Sequence, residues 1–247
     1  QKLTDLRQQL EVLKREPRTV PPGHYRVYLA PAALWDVLSN LAWGGFGLKD
    51  HRTKQTTLLR MIEDGARLHP SIHLAENTKD GVAPGFQGQG FLRPDRVPLI
   101  ESGTFAQCLA SPRSAEEYKV PTNGASADET PNSFDLAAGD IPQADVLRRL
   151  DTGVYVNNLW YLNWSDRSNC RMTGMTRFAT FWVENGVIQS PLNVMRFDET
   201  AYRVLGSNLV GLTAEREFLM DAGSYGARST MSARLPGLLA EDFHFTL

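Results

Sequence analysis

The chain has 247 residues, 42% of them hydrophobic and 22% charged, enough to bury a sizeable core in one large domain or two small ones. A formal net charge of −2, with no long run of like charges, argues against a phosphate-tracking surface, so no direct nucleic-acid partner is expected. Two cysteines, Cys108 and Cys170, are too few for a disulfide framework, and there is neither a membrane-length apolar run nor a charged-then-apolar leader. A cytoplasmic protein without a membrane partner is the expectation.

Leu3, Leu6, Leu10 and Leu13 recur at helical spacing, and Pro17 stops the pattern. Such a stripe needs a surface: either a preceding segment, residues 1–20 being the remnant of its connection, or the rest of this chain. The segment HYRVYLAP after Pro21-Pro22-Gly23 alternates like a strand. Pro31 suits the first turn of a helix through Leu34, Leu38 and Leu41 that ends at Gly44-Gly45. A second short helix is expected from Leu58 to Ile62, closed by Gly65. Residues 97–100 and 104–109 flank Glu101-Ser102-Gly103 as a hairpin, and residues 121–140 read as a long exposed loop. Pro142 to Leu150 reads as a helix with Val146, Leu147 and Leu150 buried. Residues 153–162 and 177–183 are β-rich, and Asn185-Gly186 is a strong hairpin signal. Between those runs, residues 165–176 are expected to form a loop holding Asp166, Arg167, Cys170 and Arg171. Few helices and many hairpins predict an α+β domain with a largely antiparallel sheet over 21–247.

Three patterns carry candidate chemistry. His69 and His73, followed by Glu76, have metal-ligand spacing only if they lie on a helix; Pro70 and the alternation SIHLA favour a strand, where i and i+4 lie roughly 13 Å apart. Cys170, near Arg167 and Arg171, could hold a thiolate if the arginines face it, but no histidine base lies near it in sequence. Arg167, Arg171 and Arg177 suit bidentate grip of a carboxylate or a peptide backbone, although pairing with Asp166 or with loop carbonyls would explain any one of them. The glycine pattern GFQGQG (85–90) precedes no helix and reads as tight turns.

In order along the chain, PPGHYRVYLAP (21–31), APGFQGQG (83–90), SPRSAEEY (111–118), TNGA (122–125), PNS (131–133), DTGVYV (151–156) and FWVENG (181–186) resemble the TldD/PmbA family, also called modulators of DNA gyrase. The resemblance runs from residue 21 to the end and implies the second, C-terminal part of a longer chain. It also implies the family's two arms: TldD-like zinc metallopeptidases, with an HExxxH helix and a C-terminal cysteine ligand, and PmbA- or TldE-like members that lack those ligands.

At the helix position this chain reads ALWDVLSNLAWGG (33–45), without histidine or glutamate. At the cysteine position it reads DAGSYGAR (221–228), without cysteine. The family block T-G-D-x-S-R-G-A appears as TGMTRFA (173–179), keeping Arg177 but losing the aspartate and the second glycine. By resemblance this is a non-catalytic, PmbA/TldE-like subunit with no metal site or cofactor of its own. Zinc is expected in a TldD-like partner, with unfolded peptides or peptide precursors as substrate and Asp166, Arg167, Cys170, Arg171 and Arg177 facing substrate or partner. A homo-oligomer is a further possibility. The alternatives are a metallopeptidase using His69, His73 and Glu76, and a non-enzymatic module modulating gyrase or toxin–antitoxin systems.

Overall fold

The strand begun by HYRVYLAP is β1 (Gly23–Leu29), and its alternation is what the sheet uses. Val27 and Leu29 enter the main core while Tyr28 enters a smaller core on the opposite face, as a period of two requires. The computed structural model describes residues 2–224 and 226–246, without the side chains of Lys2, Asp5 and Gln8. Gln1, included in the expected N-terminal helix, and Tyr225, in the expected ligand segment, lie outside the described residues.

The first helix, α1 (Lys2–Leu13), ends before Pro17. Its leucines are not buried by the chain: Leu3 is 75% exposed and Leu10 56%. The segment after it nevertheless follows a strand described below, through Arg15 Nη1 donating to the Gln189 carbonyl and Arg18 N donating to Pro191 O.

α2 (Pro31–Gly45) has Pro31 in its first turn, as expected, and loses helical geometry at Trp43 and at Gly44, whose φ is +81°. Leu34, Leu38 and Leu41 are buried in the main core, so this helix covers one face of the sheet. Two short helices follow, α3 (Leu48–Arg52) and α4 (Leu59–Glu63). The next strands are β2 (Leu74–Glu76), β3 (Val97–Glu101) and β4 (Thr104–Phe105). Between β3 and β4, Ser102 and Gly103 both have positive φ, the backbone of a tight primed turn. α5 (Pro112–Tyr118) is capped by the Ser111 hydroxyl, which accepts from Ser114 N.

The long exposed loop expected over 121–140 is only partly there: residues 121–132 carry no helix or strand, but a strand follows. Ser133–Leu136 forms β5, a strand buried along its whole length between β2 and a late strand, β13 (Ser232–Phe245). Four residues buried on both faces leave no alternation to read. The helix expected over 142–150 is a 3₁₀ turn (Gln143–Asp145) leading into α6 (Val146–Leu150), which packs with Tyr28 on the second face.

The β-rich run at 153–162 is two strands, β6 (Gly153–Val156) and β7 (Leu159–Asp166). The expected loop at 165–176 is mostly strand: β7 turns through four residues into β8 (Arg171–Thr176), its antiparallel neighbour. β9 (Thr180–Glu184) and β10 (Val187–Pro191) flank Asn185-Gly186, where both residues have positive φ, as the hairpin signal predicts. β11 (Arg196–Thr200) and β12 (Leu209–Met220) complete the set.

Among the described residues the thirteen strands form one sheet, ordered β10-β9-β6-β1-β13-β5-β2-β3-β4, with β12 also on β13 and β7 and β8 reached through β11. Pairings β1/β6 and β13/β5 are parallel and the rest antiparallel. The chain is an α+β protein with a largely antiparallel sheet, as its sequence predicts. No described helix is long and apolar enough to cross a membrane.

Candidate functional site

The first turn after β7 is organised by Asp166. Its carboxylate accepts from Asn169 Nδ2 at 2.7 Å, from the Ser168 hydroxyl at 2.8 Å and from Asn169 N at 3.2 Å. These donors, those of Asn169 first, hold its pKa below the usual carboxylate range. This is a turn-building role. Cys170, expected as a loop thiol, is fully buried in the main core, and burial pushes its pKa up to about 12. An apolar environment disfavours the thiolate, so the activation considered for it is absent. Arg171 pairs with Asp198 on the neighbouring strand β11, whose carboxylate also accepts from Ser165 Oγ. It braces two strands rather than awaiting a ligand.

Arg167 is placed differently. Its guanidinium carbon lies 5.9 Å from the Trp43 ring centroid, and Nε donates to the Gln55 carbonyl at 3.3 Å. A Cβ on Gly44 would lie 2.0 Å from Arg167 Nη2, so glycine at the end of α2 serves both the left-handed turn and the passage of this side chain. Trp43 itself is 57% exposed.

Arg177 occupies the connection between β8 and β9. Its guanidinium carbon is 3.6 Å from the Trp160 ring centroid and 4.4 Å from that of Phe178. No hydrogen bond or ion pair of its guanidinium exists among the described residues. The register shift in β7 between Trp160 and Asn163, where Tyr161 has φ of +59°, leaves consecutive residues Trp160 and Tyr161 both exposed. Their rings lie 5.8 Å apart, edge to face. Arg177, Trp160, Tyr161 and Phe178 thus form one exposed aromatic and cationic surface. Beneath it, Asp36 of α2 accepts from Leu159 N at 3.0 Å. Burial raises the Asp36 pKa to about 6, against that hydrogen bond and the nearby Arg177 charge.

Of the residues singled out from sequence, Arg167 and Arg177 face aromatic rings at the surface, whereas Asp166, Cys170 and Arg171 build the hairpin. Trp43, Trp160, Tyr161, Phe178 and Asp36 were not singled out. The available signals were the one charged residue of a largely apolar helix and the density of aromatic residues from 159 to 186.

His69, His73 and Glu76, the residues of the metal alternative, are each engaged with other partners. His69 shares a hydrogen bond at 2.8 Å between Nδ1 and the Ser71 hydroxyl, and His73 Nδ1 accepts from Ser102 N. Glu76 is buried, accepting from the backbone of Asn132 and Ser133 at 2.9 Å each, and burial raises its pKa. No three His, Cys, Asp or Glu side chains gather as a metal site among the described residues. The zinc implied by the resemblance finds no fit at α2 either. Asp36 is the helix's one carboxylate, and it is committed to Leu159 N.

Comparison with known proteins identifies the fold and the family. Residues 22–247 match the family model described as the PmbA/TldA metallopeptidase C-terminal domain. Three solved structures share the fold. A candidate modulator of a DNA gyrase from Thermotoga maritima has a TM-score of 0.76 at 16% identity, over 93% of this chain and 51% of that one. TldE from Thermococcus kodakarensis has a TM-score of 0.77 at 16% identity, over 97% and 54%. A candidate modulator of DNA gyrase from Bacteroides thetaiotaomicron has a TM-score of 0.72 at 18% identity, over 98% and 50%. The chain spans about half the length of each. None of the curated proteins matches it.

Proposed function

Because the chain belongs to the PmbA/TldD metallopeptidase family, matching its C-terminal domain over residues 22–247, we propose that it is the PmbA/TldE-like arm. In this reading it is a non-catalytic subunit that works beside a zinc-bearing, TldD-like chain in the proteolysis of unfolded peptides or peptide precursors. The observation that carries the reading is the chemistry of α2. A zinc peptidase needs nitrogen or sulfur ligands and a carboxylate free to take a proton from bound water. At the helix where the family's histidines and glutamate fall, this chain has Leu34, Trp35, Val37, Leu38 and Asn40, and its single carboxylate caps a strand. What the domain offers in place of ligands is the Arg177 surface, which suits contact with a peptide or a partner chain.

The test is reconstitution. The purified chain is expected to hold no stoichiometric zinc and to hydrolyse no peptide. Co-expressed with an HExxxH-bearing family member, it should co-purify and support turnover that is lost when the partner's histidines are replaced. One tightly bound zinc per isolated chain, with peptide hydrolysis, would overturn the reading.

A further inference from the structure

Arg177 is half-buried, and its guanidinium forms no ion pair among the described residues. Arg18, Arg26, Arg171, Arg203 and Arg216 each sit within ion-pair distance of a carboxylate. Arg177 does not: Asp36 is near enough to feel its charge but makes no ion pair with it. Its guanidinium carbon instead lies 3.6 Å from the Trp160 ring centroid and 4.4 Å from that of Phe178. A guanidinium is a planar fork whose N–H donors project in its own plane. Ring contacts engage none of those donors, which have no partner among the described residues, and the ligand that matches them is a carboxylate held bidentately.

Two further observations define what brings that carboxylate. Tyr161 is 76% exposed, Phe178 69% and Trp160 43%, so an apolar rim surrounds the charged fork. Three cavities of the fold lie elsewhere, around Tyr28, around Asn77 and Ser133, and around Glu76 and Arg93. On so exposed a surface a small free anion would gain little beyond the ion pair. An extended chain can seat an acidic side chain on the fork and rest its neighbouring apolar residues on the rim.

We propose that the Arg177–Trp160–Phe178 surface is a recognition site for an acidic side chain, flanked by apolar residues, in an extended peptide. The inference rests on the peptide-handling reading above and adds the sequence preference of the site. Binding draws on a charge-assisted bidentate contact and on stacking surface already in place, so the guanidinium need not be ordered on binding.

The experiment is fluorescence anisotropy with labelled nonapeptides, acetylated and amidated at their ends. One carries a single glutamate between leucines and the second carries glutamine there. A third carries the glutamine but ends in a free carboxylate. The glutamate peptide should bind at least tenfold more tightly than the glutamine peptide, and the difference should shrink at high salt. Arg177→Gln should abolish the difference, Arg177→Lys should keep part of it, and Phe178→Ala should reduce it. Thermal melts of all three variants check that the fold survives; if Arg177→Gln does not fold, the other two carry the test. Equal binding of the first two peptides, a preference that survives removal of the arginine, or binding confined to the free-carboxylate peptide would each overturn the inference. Co-purification with an HExxxH-bearing partner, measured on the same preparations, separates the two levels. Assembly and turnover without a glutamate preference would refute this site and leave the subunit reading standing.

Discussion

The Asp36 carboxylate accepts a hydrogen bond from Leu159 N at 3.0 Å, which ties the helix over the sheet to the first residue of β7. That contact fixes the start of the strand carrying Trp160 and Tyr161, yet it is made by a carboxyl whose pKa burial has raised to about 6.

Folding raises the proton affinity of Asp36, so its ionisation opposes folding. The favourable contribution is fully present below its unfolded pKa, near 4, and is lost as pH rises through about 6. A shift of this size corresponds to at most about 3 kcal/mol, and partial exposure lowers it. Asp36→Asn keeps an acceptor for Leu159 N–H and removes the charge. It should stabilise the protein by about 1–2 kcal/mol at pH 8 and by little at pH 4.5. Urea denaturation at the two pH values checks this; an equal change at both would show that ionisation is not the cause.

Cys170 should be inert in the native state. With its sulfur in the core and its pKa near 12, labelling by a thiol reagent at pH 7.5 should proceed only at the rate at which the hairpin opens. Cys108, partly exposed and with its pKa raised to about 11, should label faster. Mass spectrometry of the modified peptides distinguishes the two. Rapid labelling of Cys170 would restore it as a reactive loop thiol.

Gly186 has φ of +74°, and a side chain there would come within 3.3 Å of the Arg148 backbone. Gly186→Val should cost about 1–2 kcal/mol from the left-handed backbone alone, and more from the crowding. A urea midpoint unchanged from the parent would exclude the turn.

Arg171 and Arg167, four residues apart in the expected loop, should part company on replacement. Arg171→Ala removes a cross-strand pair with Asp198 and should cost under about 1 kcal/mol while leaving partner binding intact. Arg167→Ala uncovers Trp43 and should weaken assembly with an HExxxH-bearing chain. A pull-down titration with each variant reads the difference, and a loss confined to Arg171→Ala would reverse the two roles.

Features written locally were legible in the sequence. Asn185-Gly186 and Ser102-Gly103 make their turns from their own backbone preferences, and Pro31 with Gly44 brackets α2 without help from distant residues. What was missed depends on distant partners. β8 reads as loop because Gly174 interrupts it, but that glycine lets the Phe197 ring approach to 2.8 Å from where a Cβ would stand. β5 has four residues, and its identity as a strand comes from pairing with β2 and β13. The arginine at 177 was legible as a candidate. Its aromatic seat was not, because that depends on the bulge at Tyr161 and on the strand register.

β13 is hydrogen-bonded to β1, β5, β11 and β12, and pairs Phe245 with Gly23. During synthesis, therefore, β1 can pair on one side with β6 but waits for β13 on the other through some two hundred further residues. Loop closure of that span comes before the reward of pairing, which makes for slow maturation. The nascent chain meanwhile presents an unpaired edge beside apolar side chains, a state in which a molecular chaperone has the most to do. A deletion at either end of that seam would therefore be felt first as lost yield, before any question of activity arises.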